Sequence, residues 1–153
     1  MNRRSFLAPA ILLPVLAICA AAPPPPPPEL DLAITAGADQ NPDTSGHPAP
    51  VKVFLYQLAS SAKFERADVF ALTERDKATL GEDMLASEAI VVAPGEARAV
   101  KKQLKAGTQV LGVVVLFRDI DHATWRQMAK VAVSGTTALQ LTTKGIVATL
   151  APR

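Results

Sequence analysis

The sequence predicts an all-β chain: an antiparallel sandwich of two sheets built from about eight short strands. Three observations point there. Leu30, Leu32 and Ile34 alternate with Asp31, Ala33 and Thr35, the period of two that marks a strand with one buried face. "VKVFLYQL" and "TQVLGVVVLFRDI" are nearly continuous apolar runs, which suits strands covered on both faces. From Ser87 onward only strand-length segments and turn residues follow, with no strand–helix–strand alternation.

The elements follow in order. Met1 to Arg4 carries two arginines, an apolar stretch from Ser5 to Ile18 comes next, and Cys19 and small alanines close the segment. A basic start, an apolar centre and a small-residue exit make residues 1–18 a secretory signal. Interrupted by Pro9 and Pro14, the stretch is shorter than the 18 or so residues a spanning helix needs. "LAIC" has the form of a lipoprotein box, in which the cysteine is acylated and becomes the first mature residue; Ile18 departs from the small residue usual there. Pro23 to Pro28 favour a polyproline II rod of about 3.1 Å per residue. Residues 19–29 therefore read as the attachment cysteine and its tether, and 30–153 as the sandwich.

Gly37 ends the first strand, and "ADQNPDTSGHPAP" (Ala38 to Pro50) has turn dipeptides and no apolar period. A loop this long in a compact domain is usually functional or disordered. Val51 to Leu58 is a central strand. Helical insertion is expected at about 60–86, with Asp68 as an N-cap before Val69 to Leu72, and Thr73 or Asp76 before a second short turn. Leu80 and Met84 are spaced i, i+4 on one helical face, weakened by Gly81. "SEAIVV" and "ARAVKKQL" flank Ala93-Pro94-Gly95-Glu96, where Pro then Gly suits a type II turn. "MAKVAVS", "TTALQLT" and "GIVATLA" complete the strands, with a turn at Lys144-Gly145.

Composition excludes several functions. The formal charge is +2, and without Arg3 and Arg4 the remainder is neutral, lacking the basic footprint of a nucleic-acid binder. A single cysteine excludes an internal disulfide or Cys-cluster metal site, and His47 and His122 form no metal-ligand spacing. No nucleophile elbow or phosphate loop occurs, so no catalytic residue, metal, cofactor or small-molecule substrate is assigned. "RDIDHATW" groups Arg118, Asp119, Asp121, His122 and Trp125, but neighbours at a strand end point to opposite sides. It reads as a strand exit whose carboxylates cap the next turn, with Trp125 over the sandwich edge. Lys101, Lys102 and Lys105 read as a solvated face, and Phe54, Tyr56, Phe64 and Phe70 as core.

"NPDTSGHPAPVKVFLYQL", the "F-x-x-A-D-V-F-A-L" segment from Phe64 to Leu72, "APGEARAV" and "LGVVVLFRDIDHATWR" together resemble the TssJ (SciN, VasD) lipoproteins of bacterial type VI secretion systems. In that family an Asn-Pro-Asp loop precedes a Pro-Val-x-Val strand ending Tyr-Gln-Leu. A Phe…Ala-Asp-Phe-Phe-x-Leu helix, a Pro-Gly-Glu turn and an Arg-Asp-Ile…Trp-Arg strand exit follow. The resemblance implies a transthyretin-like sandwich with a helical piece and a lipid on Cys19 holding it at the periplasmic face of the outer membrane. It also implies a grip on the periplasmic C-terminal domain of the inner-membrane protein TssM, and through TssM an indirect link to TssL. Part of that grip is attributed to the loop between the first two strands, here Asn41, Pro42, Asp43, Thr44, Ser45, Gly46, His47 and Pro48. Independently of the resemblance, a proline-rich loop loses less entropy when ordered, and Asn41, Asp43, Ser45 and His47 offer polar contacts.

The leading expectation is a structural lipoprotein with no enzymatic activity. One rival is a soluble periplasmic binding or chaperone-like sandwich without the lipid. The other is a metal-dependent hydrolase at Asp119, Asp121 and His122.

Overall fold

The computed structural model describes residues 22–153; the signal segment and Cys19 lie outside the described residues. The strands are β1 (Pro28–Ala36), β2 (Val51–Leu58), β3 (Met84–Val92), β4 (Ala97–Gln103), β5 (Val110–Leu116), β6 (Arg126–Lys130), β7 (Gly135–Lys144) and β8 (Val147–Pro152). Three short helices, α1 (Ala62–Arg66), α2 (Val69–Glu74) and α3 (Asp76–Leu80), stand between β2 and β3, followed by a 3-10 turn over Gly81–Asp83. The all-β class, the eight strands and the small helical insertion are as the sequence predicts.

The sheets run β4-β1-β7-β8 and β3-β2-β5-β6. Every neighbouring pair is antiparallel except β1 and β7, which lie parallel from Pro28↔Gly135 to Ala36↔Thr143. Strand direction alternates along the chain, so two odd-numbered strands placed side by side must run the same way. As a result the β1–β2, β3–β4, β5–β6 and β7–β8 connections gather at one end of the sandwich, here the loop end. The chain enters β1 at the other.

Leu30, Leu32 and Ile34 of β1 pack against Val53, Leu55, Val113 and Val115 across the sheets, all buried. Burial of each such side chain contributes about 1.5–3 kcal/mol. A second core fills the space between the outer face of β2 and β5 and the helices: Tyr56, Leu58, Val114, Phe64, Val69, Leu72 and Leu80. This second layer is why β2 and β5 are apolar on both faces. Among the described residues no helix covers the opposite sheet, and its outer face carries small and polar residues such as Ala33, Ala99, Thr136 and Thr149.

Several boundaries differ from expectation for local reasons. Pro28, expected in the rod, opens β1, its carbonyl accepting from Leu104 N–H at 2.8 Å; as the first residue of a strand it needs no N–H. Gly81, at φ +54°, ends α3, so Met84 begins β3 three residues before Ser87 instead of continuing a helix. β5 stops at Leu116, where Phe117 N–H bonds back to the Val115 carbonyl at 3.1 Å. The sixth strand begins at Arg126, and Val131 to Ser134 form the following turn rather than its end. Asp68 caps α2 as expected, accepting from Ala71 N–H at 2.9 Å. The Pro94-Gly95 turn also forms: Glu96 N–H donates to Ala93 at 3.1 Å and Gly95 sits at φ +74°.

Candidate partner-binding surface

The β1–β2 loop is held from beneath by two polar residues that are themselves buried. Gln40 is fully covered. Its side-chain amide donates to the Val92 carbonyl at 3.0 Å and accepts from the Thr143 hydroxyl at 2.5 Å, joining the loop to both sheets. Asn41 is 5% exposed and occupies the left-handed region at φ 52°, which Asn tolerates better than most residues. It donates to the Pro50 carbonyl at 2.9 Å and accepts from the Arg118 N–H at 2.7 Å. Both of these Asn41 side-chain contacts are made inside the molecule, where the residue braces the loop.

Beyond the brace the chain projects. Pro42 and Asp43 are half-buried, while Thr44, Ser45, Gly46, His47 and Pro48 are exposed. Asp43 organises this tip: its carboxylate accepts from Ser45 N–H at 2.8 Å and His47 N–H at 2.9 Å. Gly46 N–H returns to the Asp43 carbonyl at 3.0 Å with Gly46 at φ +83°. The hydrogen bond from the His47 N–H, reinforced by that from Ser45, holds the Asp43 carboxyl below its ordinary pKa. His47 Nδ1 lies 3.3 Å from the same carboxylate, with its ring 78% exposed. The tip is preformed and presents hydroxyl, imidazole and proline surfaces outward.

Next to it the β5–β6 loop forms a ridge. One side, with Pro42, Asp43, Thr44, Arg118, Asp119 and the β7–β8 turn, lines a groove of about 510 Å3. The other side, Ile120 and Asp121, faces a second groove of similar size, about 510 Å3, walled by Arg66, Asp68 and Phe70 and floored by Trp125 and Arg126. The Arg126 guanidinium stacks 4.5 Å from the Trp125 ring and donates to the carbonyls of Phe64 (2.8 Å) and Glu65. Phe70 departs from the core role expected of it: its ring is 56% exposed, whereas Tyr56 and Phe64 are buried.

On the ridge, His122 Nδ1 and an Asp119 oxygen are 2.8 Å apart, and this bond raises the His122 pKa above the ordinary value. Asp119 therefore pairs with the imidazole instead of capping the turn. Among the described residues no three His, Cys, Asp or Glu side chains come together as metal ligands. Trp125 lies between the two cores, as expected of a residue covering the sandwich edge. Lys101 and Lys102 are ion-paired with Asp31 (3.4 Å) and Glu88 (2.7 Å) rather than forming a free basic patch. Among the described residues no helix is long and apolar enough to cross a membrane. The buried role of Gln40 carried no signal in a stretch that reads as wholly polar.

Residues 28–145 match the family model for type VI secretion lipoproteins (VasD, EvfM, TssJ, VC_A0113). The fold is similar to that of the T6SS lipoprotein TssJ1 from Pseudomonas aeruginosa, with a TM-score of 0.81 and 35% identity over 84% of this chain and 98% of that one. It is also similar to a chain of a type VI membrane complex, with a TM-score of 0.73 and 29% identity over 82% and 98% of the two chains. A chain in a structure of the T6SS protein TssM C-terminal domain (869–1107) from EAEC gives a TM-score of 0.68 and 28% identity over 80% and 99%. No curated protein sequence matches. With a family match across most of its length and a relative of the same architecture at this identity, the chain belongs to the TssJ (SciN, VasD) family of type VI secretion lipoproteins.

Proposed function

We propose that this protein is a structural lipoprotein of the type VI secretion membrane complex, held by acylated Cys19 at the periplasmic face of the outer membrane. Its loop end binds the periplasmic C-terminal domain of TssM, which links it indirectly to TssL. The single observation that carries the partner reading is the preformed tip, Pro42 to Pro48, projecting from a buried brace. A loop already ordered by Asp43 loses little further conformational entropy on binding. The likeness to a chain in a TssM-domain structure supports the choice of partner.

The geometry suits a tether. β1 starts at the end of the sandwich opposite the tip, and its nine residues span about 30 Å. A lipid at Cys19 followed by the exposed Pro23–Pro27 segment directs the tip away from the membrane and toward a partner rising from the inner membrane. Lipid attachment needs more than one chain to be durable, since a single acyl chain binds only marginally; bacterial lipoproteins carry several on one cysteine.

Two measurements test this. Replacing Thr44–Pro48 by a glycine-serine linker of equal length, with Gln40 and Asn41 kept, should leave the fold intact and weaken binding to the purified TssM C-terminal domain. Equal affinity would remove the tip from the interface. Mass spectrometry of the mature N-terminus should find acylated Cys19; an unmodified alanine start would favour the soluble reading instead. Cys19→Ser should still bind TssM in vitro and fail to support secretion in cells.

A further inference from the structure

The exposed tip is only five residues, Thr44 to Pro48, with Pro42 and Asp43 half-buried beside it, whereas a stable interface engages about 20–30 residues a side. The footprint must extend, and the ridge between the two grooves shows a direction. Arg118 and Asp119 face the tip, Ile120 and Asp121 face Phe70. The tip's own brace fixes that ridge through the Asn41 carbonyl on Arg118 N–H at 2.7 Å. The far groove has the composition of a binding hot spot: an exposed phenylalanine, a tryptophan and two arginines. Phe70 is 56% exposed although Val69, Ala71 and Leu72 beside it in α2 are buried. Its neighbours are already committed: Arg126 to Trp125 and two carbonyls, Asp68 to the α2 N-terminus.

Resting on the loop reading above, we infer that the same partner domain reaches over the Arg118–Asp121 ridge and seats an apolar side chain against Phe70 and Trp125. The outer groove wall leaves Arg66 and Asp121 to select a flanking carboxylate and a flanking cation on that segment. Arg66 spends its Nε–H on the Ala62 carbonyl, and the residue lines the groove.

Titration of the purified TssM C-terminal domain tests this with four chains: the parent, the Thr44–Pro48 linker swap, Phe70→Ser, and Val133→Ser. Val133 is 80% exposed in the β6–β7 turn at the opposite end and serves as the control. Because Phe70 is outside both cores, Phe70→Ser should keep the parent circular dichroism and melting point. The expected result is affinity lowered about tenfold or more by Phe70→Ser and unchanged by Val133→Ser. If the linker swap weakens binding and Phe70→Ser does not, the extended footprint is overturned and the loop reading stands. If neither weakens it, both fail. If Phe70→Ser changes only the sedimentation of the protein alone, the groove joins two copies of this chain and the inference is overturned.

Discussion

The side-chain carbonyl of Asn41 accepts a hydrogen bond from the backbone N–H of Arg118 at 2.7 Å, 77 residues further along the chain. The contact ties the β1–β2 loop to the β5–β6 ridge. Asn41→Ala removes this bond and the one to Pro50, both of them partly buried, and puts alanine at a positive φ. Each such hydrogen bond contributes about 0.5–1.5 kcal/mol, and the strained φ adds to the loss. The variant should melt several degrees below the parent and bind TssM more weakly, with Asn41→Gly recovering only the backbone part. A parent-like melting point would mean the brace is unimportant.

Gly112 lies on the outer face of β5 directly beneath α1. A Cβ there would come within 2.9 Å of the Phe64 ring and 3.0 Å of Leu58. Since both neighbours are fully buried, Gly112→Ala overpacks the second core at a cost of about 1–3 kcal/mol. Chemical denaturation should report it, and pairing the change with Phe64→Leu should recover part of the loss. Loss without recovery would place the strain elsewhere.

The elements legible in the sequence were those with a local cause. β2 and β5 read as doubly covered strands because both faces meet a core, and the Pro94-Gly95 turn and Asp68 cap need only neighbours in sequence. What stayed hidden depends on distant partners. The parallel β1–β7 pairing joins segments more than a hundred residues apart and leaves no mark on either. Asn41 and Gln40 stand in a run of polar and proline residues that reads as solvated, yet their partners Arg118, Thr143 and Val92 bury them. Phe70 reads as core from its residue type; in α2 the buried face is taken by Val69, Ala71 and Leu72, and Phe70 stands on the exposed side.

The His122–Asp119 pair gives a pH signature at the ridge. Hydrogen bonding to Asp119, then its charge, raises the His122 pKa in the folded state. Stabilisation from the pair is therefore present below the ordinary histidine pKa of 6.5 and disappears as pH rises through the higher folded value. Proton NMR should give a His122 midpoint above 6.5, returning toward it in Asp119→Asn. A midpoint unmoved by that change would show that Asp119 does not hold the ring.

Tyr56 is the only tyrosine, so its titration can be read without interference. Its hydroxyl donates to the Leu72 carbonyl at 2.7 Å, fastening α2 to β2 inside the second core. Burial, with a smaller contribution from Asp76, pushes the phenol well above its ordinary pKa of 10.0. A raised folded pKa favours the protonated form, so the stability it carries is complete below pH 10 and declines as pH rises beyond the unfolded value. Phenolate absorbance should thus appear together with loss of the far-ultraviolet signal, in one alkaline transition. Tyr56→Phe should lose about 1 kcal/mol at neutral pH, from the missing bond, while its alkaline transition moves to higher pH. Free titration near pH 10 in the folded protein would mean the helical layer opens over Tyr56 far more readily than its packing implies.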